Sequence, residues 1–200
     1  MMFLPEVCAI QLGYTARARF EAASDGVLAI QLRDVAAETV DPSQLMRVRL
    51  DERVDRHLVG AGHVLFRSRG EHNIAVALDA RFVEPAIAVS PLMALRPNQA
   101  VILGEYLAWA INQPEAQRHF DVAARGTSIR MVPKASLDDL QIDVPDLETQ
   151  RLIVMVDALA AHEGALMHLL ADRKRNLNKR RLAERAKRTP SLTPSEKTGE

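Results

Sequence analysis

Four short stretches set arginine beside turn-forming residues. Arg17 and Arg19 follow Gly13, and Arg33 closes Ile30-Gln31-Leu32. Arg67 and Arg69 flank Ser68 just ahead of Gly70, and Arg125, Thr127, Ser128 and Arg130 surround Gly126. Guanidinium forks match phosphate oxygens or the O6/N7 edge of guanine, while hydroxyls and glycine-exposed amides donate to phosphate. One such arginine alone is more often a surface ion-pair partner. Their concentration at turn positions points to contact with double-stranded DNA.

A catalytic constellation is not found. The six histidines are His57, His63, His72, His119, His162 and His168, and no two share the i,i+4 spacing of a zinc-binding helix. Gly-x-Gly-x-x-Gly, Gly-Lys-Ser/Thr and Gly-x-Ser-x-Gly motifs are all missing from the sequence. Asp138, Asp139 and Asp143 have the oxygen ligands for Mg²⁺, and a metal-dependent nuclease is the remaining catalytic alternative. No lysine follows them at a nuclease-like interval, and they read better as cap and strand positions. The single cysteine, Cys8, excludes an internal disulfide and a cysteine-built zinc cage and suits a reducing compartment. The expectation is a non-enzyme with no metal and no cofactor of its own, located in the cytoplasm.

The elements that must carry these residues come in two textures. Residues 7–12, 27–32, 45–50, 63–68, 73–78, 82–89 and 92–96 are short apolar runs separated by Gly, Pro, Asp or Asn. This pattern predicts a curled, mostly antiparallel sheet without a βαβ rhythm. After Pro97 the sequence turns helical. Leu103 to Asn112 forms one short helix, and Pro114 opens another that runs to about Ala123. Ser136-Leu137-Asp138-Asp139 matches a capping box, and Leu140 to Val144 alternates as one more strand. The fold class predicted is α+β.

From the candidate N-cap Asp146 to about Lys187 the chain holds no proline and one glycine, Gly164. A helix of ~40 residues is about 60 Å long. Leu152, Val156, Leu159, Glu163, Leu166, Leu170, Arg173, Leu177 and Arg180 step alternately by four and three, a heptad seam apolar at Leu152, Val156, Leu159, Leu166, Leu170 and Leu177. A second row through Ile153, Ala160 and Met167 widens it. No stretch is expected to match the ~20 apolar residues of a membrane span. The organisation predicted is therefore a recognition domain over 1–145, a spacer or pairing helix over 146–188, and a disordered tail over 189–200.

Charge is segregated within the 200 residues. Overall, 26 basic side chains balance 26 acidic ones. Residues 173–188 hold nine of the basic groups against Glu184 alone, a local charge of +8, and residues 1–172 carry −7. A basic helix end suits the macrodipole, and it also suits nucleic acid or an acidic partner surface.

The second half resembles a known family. Gly104-Glu-Tyr-Leu-Ala-Trp-Ala-Ile-Asn-Gln-Pro-Glu-Ala-Gln-Arg118 is similar to the paired-helix motif of type I restriction–modification specificity subunits. Gly126-Thr-Ser-Ile129 is similar to their Gly-Ser/Thr-Thr loop. Leu137-Asp-Asp-Leu-Gln-Ile-Asp-Val-Pro-Asp-Leu-Glu-Thr-Gln-Arg-Leu-Ile153 resembles their entry into a long helix. Ile30 to Val35 and Gly62-His-Val-Leu-Phe-Arg-Ser-Arg-Gly70 agree more weakly. Gly62-His63 stands where the family often has Gly-Asp, and Val144-Pro145-Asp146 replaces a Pro-Leu-Pro-Pro run. The family's subunit carries two recognition domains and two spacer helices, whereas this chain has one of each.

The resemblance implies a non-catalytic chain that reads one DNA half-site. It would pair through its helix with itself or with a second half-specificity chain. It would also provide a platform for DNA methyltransferase subunits and, in some systems, a restriction subunit. S-adenosylmethionine, ATP and Mg²⁺ would belong to those partners. The alternative is an assembly adaptor that binds such subunits without reading DNA, which an acidic body permits.

Overall fold

The computed structural model describes residues 1–16, 20–35, 39–50, 54–70, 73–123 and 131–188. It comprises two compact units, Met1–Val154 and Met155–Glu200. In chain order the first unit contains β1 (Met2–Phe3), α1 (Leu4–Val7), β2 (Cys8–Leu12), β3 (Ala22–Ile30), β4 (Met46–Val48), β5 (Leu58–Val59) and β6 (Val64–Arg67). There follow β7 (Ala75–Ala77), β8 (Ala86–Ala88), β9 (Leu92–Pro97), α2 (Gly104–Asn112), α3 (Pro114–Ala123), α4 (Lys134–Asp138) and β10 (Gln141–Ile142). The long helix α5 spans Leu147–Arg188.

One sheet has the order β2-β9-β6-β7 and a second the order β4-β3-β8-β5, with β1 and β10 forming a separate pair. Among the described residues, all strand pairs are antiparallel except β3 with β8. The fold is thus α+β with a mostly antiparallel sheet framework. The central strands explain why their sequences read as unbroken apolar runs rather than alternations. Along β6, Val64 and Phe66 join the core formed with Leu107, Ile111 and Phe120, while Leu65 points into the core formed with Ile30, Leu78 and Ala86. β9 does the same, with Met93 and Leu95 on the first side and Leu92 and Ala94 on the other. Both faces of the sheet are therefore covered. Phe66 and Phe120 anchor the helical side, their ring centroids 5.1 Å apart.

Register in β3 slips between Ala22 and Val27. Gly26 sits at that bulge, where a Cβ would lie 2.3 Å from the Val48 carbonyl oxygen. Only glycine lets the two backbones approach so closely.

Several expectations change on folding. The run over 82–89 becomes a strand only from Ala86, because the Asp79–Arg81 turn occupies its approach: the Arg81 amide donates to Asp79 and that of Phe82 to the Asp79 carbonyl. The capping box at Ser136 is not formed. α4 begins a turn earlier, with Pro133 as N-cap, and Ser136 lies buried inside it. Lys134 instead closes α4 through an i,i+4 pair with Asp138 at 2.6 Å. The short helix α1 was not foreseen; the Leu4 amide there bonds the Leu140 carbonyl at 3.0 Å and ties the N-terminal segment to β10.

The start of α5 is as expected. Asp146 accepts from the amides of Glu148 and Thr149 at 3.0 and 2.9 Å, a side-chain N-cap. These bonds hold its carboxyl below the usual range, those from Thr149 most strongly. Buried Gln150 then fixes the first turn to the body. Its Oε1 accepts from the Leu103 amide at 2.9 Å, and its Nε2 donates to the carbonyls of Val101 and Pro145 at 2.9 and 2.8 Å. The body unit runs on to Val154, so the first two turns of α5 count with it rather than with the helical unit. The expected tail, residues 189–200, lies outside the described residues.

One expectation needs correcting. α5 is, by length and composition, apolar enough to cross a membrane, with an 18-residue stretch of mean hydropathy 1.4. Between Leu152 and Leu170, however, it also carries Asp157, His162, Glu163 and His168. An Asp at the bilayer centre costs roughly 2.5–3.5 kcal/mol.

Candidate nucleic-acid interface

The turn around Ser90-Pro91, whose peptide bond is cis, joins β8 to β9, and it gathers the segments that lead to the candidate arginines. The Tyr14 amide donates to the Ala88 carbonyl at 2.7 Å and the Ser90 amide to the Tyr14 carbonyl at 2.9 Å. The Val89 amide donates to the Ile30 carbonyl at 2.9 Å, which places the end of β3, and hence the helical turn Leu32–Asp34, at the same corner. Ser68, only 1% exposed, donates its hydroxyl to the Pro91 carbonyl. The Val132 amide donates to the Ser68 carbonyl at 2.8 Å, and Arg69 forms an isolated antiparallel bridge with Met131. Three strands and one loop end thus meet at one place, although they are far apart in sequence.

The candidates themselves fall into two groups. Arg33, Arg67 and Arg69 are described. Arg17, Arg19, Arg125, Thr127, Ser128 and Arg130 lie outside the described residues. Their flanks do not: Tyr14 and Phe20, on either side of 17–19, have ring centroids 6.4 Å apart, and His57 stands edge-on to Tyr14 at 5.6 Å. Met131, which follows 124–130, is the residue bridged to Arg69.

Arg67 organises the corner. Its Nε donates to the Arg69 carbonyl at 3.3 Å and its Nη1 to the Val35 carbonyl at 3.4 Å. A guanidinium has five N–H donors, so three remain for a phosphate or base edge. Gly70, at φ +131°, leaves room for this arrangement, since a Cβ there would lie 3.0 Å from Arg67 Nη2. Asn73 supports the same turn by donating Nδ2 to the Arg67 carbonyl at 3.1 Å. Sequence reasoning missed Asn73 and Gln150, whose types are uninformative until their buried partners are known. Arg69 is exposed. Arg33 is 69% exposed, with Asp34 only loosely paired at 3.7 Å. The Asp34 carboxylate is engaged in accepting from the Gln31 amide at 2.8 Å.

Other arginines of the body are engaged differently. Arg47 pairs with Glu84, Arg49 with Asp25 at 3.0 Å, and Arg81 with Asp79 at 2.8 Å. Arg96 donates to Gln11 Oε1 at 2.6 Å and to the Leu58 carbonyl at 3.0 Å. These cations are matched by carboxylates or used on acceptors within the body, whereas at the Ser90-Pro91 corner Arg33 and Arg69 are exposed and Arg67 uses two of its five donors on backbone carbonyls.

Nothing described resembles a catalytic centre. Burial pushes the Cys8 thiol up to about 12, far from a reactive thiolate. Burial also lowers the pKa of His57 and His63, with Arg56 and Arg96 respectively adding to it. A groove of about 600 Å³ beside Tyr106, Trp109, Asp143 and Thr149 has no histidine, cysteine, serine or lysine in its walls. No group of three or more His, Cys, Asp or Glu is positioned for a metal among the described residues.

The second candidate surface is α5. It is one unbroken helix of 42 residues, and Leu152, Val156, Leu159, Leu166, Leu170 and Leu177 are 48–62% exposed. Met155, Met167 and Leu169 are exposed beside them. Together these side chains form a contiguous exposed apolar face along one side of the helix.

No family model matches the sequence, and no curated protein matches it. Solved structures do. A chain from a structure describing complex assembly and conformational transition of the type I restriction–modification system superposes with a TM-score of 0.65 at 20% identity, over 88% of this chain and 42% of that one. The HsdS subunit from Thermoanaerobacter tengcongensis gives 0.59 at 21% identity, over 83% and 38%. The S subunit of a type I restriction–modification system from M. genitalium gives 0.53 at 13% identity, over 85% and 40%. This chain spans about two-fifths of the length of the structures it matches, and across most of its own length it has the fold of the type I restriction–modification specificity subunits.

Proposed function

We propose that this chain is a non-catalytic DNA-specificity component of a type I restriction–modification complex. It reads one half-site with the segments gathered at the Ser90-Pro91 corner and pairs through α5. The observation that carries this is the convergence of Arg33, Arg67 and Arg69, with the flanks of 17–19 and 124–130, on one corner of a specificity-subunit fold. Phosphate contacts from these arginines and from Thr127 and Ser128 set position, and base-edge contacts set sequence. Methyltransferase subunits supply the chemistry and much of the phosphate contact, which offsets the −7 charge of residues 1–172. Such a complex operates in the cytoplasm.

If two copies pair with two-fold symmetry, the target is a bipartite palindrome with an uncontacted spacer. Binding-site selection with the complex reconstituted from methyltransferase subunits tests this. Recovery of two inverted half-sites is expected, and a single contiguous asymmetric site would defeat the paired version. The acidic body favours one second reading, an assembly adaptor. Stable complex formation with no sequence preference would establish that reading instead.

A further inference from the structure

We infer that the basic end of α5, from Arg173 to Lys187, binds the phosphates of duplex DNA along both walls of one groove, independently of base sequence. The inference rests on the reading that the chain acts on DNA within a methyltransferase complex. It adds a second contact surface, built from other residues than those at the Ser90-Pro91 corner.

Residues 173–188 hold nine cations against one carboxylate, Glu184, while residues 1–172 carry −7. Every side chain from Arg173 to Lys187 is exposed. Arg175 lies 3.4 Å from Asp172, and such an exposed pair is worth little. Among the described residues, Lys174, Lys179 and Arg181 have no salt bridge. Like charges three and four residues apart on a helix destabilise it, and Arg175 with Lys179 and Arg181 with Arg185 are so placed. A polyanion that supplies the missing counter-charge removes that repulsion.

Two features select duplex DNA over an acidic protein face. The first is the spread of charge around the helix. At about 100° per residue, Lys174 and Arg181 fall on one flank, and Arg175 and Lys179 lie roughly 130° round on another. A flat protein partner meets one flank and leaves the other unmatched. The major groove, about 12 Å wide, has phosphates on both walls, and a helix with its side chains is about 10–12 Å across. The second feature is composition. Between 173 and 187 the apolar residues are Leu177, Leu182, Ala183 and Ala186, and there is no aromatic one. Protein interfaces draw most of their energy from buried aromatic and arginine anchors, and single strands stack their bases on aromatic rings. Phosphate binding needs no ring. Guanidinium, ammonium and the amides of Asn176 and Asn178 are the donors it uses.

The test is fluorescence anisotropy at several salt concentrations on the complex reconstituted with methyltransferase subunits, using a duplex with the selected site and an unrelated duplex. The variants are Lys174→Gln with Arg181→Gln, Arg175→Gln with Lys179→Gln, and all four together. Glutamine keeps a high helix propensity, and circular dichroism and the mass of the complex verify helix and assembly. Each pair should lower the salt slope by about 1.8 and all four by about 3.6, at roughly 0.9 per phosphate. The fall should be the same on both duplexes, and preference for the site should stay within about twofold. Arg181→Lys should leave the slope as it is, because counterion release counts charges and not guanidinium forks. An unchanged slope with all four substitutions would overturn the inference. So would a fall confined to one pair, which removes the two walls, or a fall on the selected duplex alone, which means base reading. A complex that no longer assembles would make an acidic protein face the partner and overturn it too. A lowered slope in a complex without site preference would leave this surface standing and defeat the specificity reading. An unchanged slope in a complex that keeps its preference would do the reverse.

Discussion

Gln150 is 0% exposed and makes three hydrogen bonds that hold the first turn of α5 against the body, so Gln150→Leu keeps side-chain volume and removes all three. The Leu103 amide and the carbonyls of Val101 and Pro145 would then face hydrocarbon. Each bond contributes about 1 kcal/mol net, and a buried polar group left unpaired costs about 1–3 kcal/mol. For three groups the expected loss is therefore roughly 3–9 kcal/mol, a large share of the 5–15 kcal/mol typical of a domain. Urea unfolding followed by circular dichroism measures it. A loss below about 1 kcal/mol would refute the reasoning, because it would mean water or a shifted backbone satisfies these groups without the amide.

Gln150→Glu sharpens the test. One carboxylate oxygen can accept from Leu103, but the other is turned toward two carbonyl oxygens. Burial and that repulsion raise the introduced carboxyl's folded pKa above its unfolded value of about 4.3. By the sign of linkage, this variant should come closest to wild type below that pH and lose ground as pH rises through the folded pKa.

Four further outcomes are expected. In the reconstituted complex, Arg33→Ala or Arg69→Ala should weaken binding by roughly 1–3 kcal/mol where the residue reads a base, and reduce the salt slope by about 0.9 where it meets phosphate; affinity titrations at several salt concentrations read both, and no change in either would place the interface elsewhere. Arg67→Lys should weaken DNA binding about as much as Arg67→Ala, because an ammonium cannot span the Val35 and Arg69 carbonyls while keeping donors free. Asp146→Asn should narrow its stability difference from wild type as pH falls below about 4, since a carboxyl with a lowered folded pKa stabilises above its unfolded value and loses that contribution on protonation, which paired denaturation curves would show. Alkylation of Cys8 by iodoacetamide at pH 8 should be slow in the native state and fast in urea, as its buried thiol with a pKa of about 12 requires.

How far the site was legible depended on where its partners lie. The arginines at Arg33, Arg67 and Arg69 stood out because turn residues flank them, and that signal is local. Their meeting at Ser90-Pro91 was not legible, because it depends on contacts such as Ser68 to Pro91 and Tyr14 to Ala88 that join distant segments. The same limit applies to Asn73 and Gln150, ordinary residues until a buried carbonyl or amide faces them. Ser136 is the converse case: its local pattern suited a cap, but Pro133 started the helix earlier and carried the serine into the interior.

Sequence alone determined the α+β class, the short strands, the extent of α5 from its Asp146 cap, and the seam with its single acidic point, because spacing, capping and periodicity act over a few residues along one chain. Tertiary structure decided which strands are neighbours, that β3 and β8 run parallel, that Arg67 braces a turn, and that the buried Gln150 amide ties the first turn of α5 into the body. Those facts follow from close packing and from the requirement that every buried polar group find a partner, and both are settled only when residues distant in sequence come together in space.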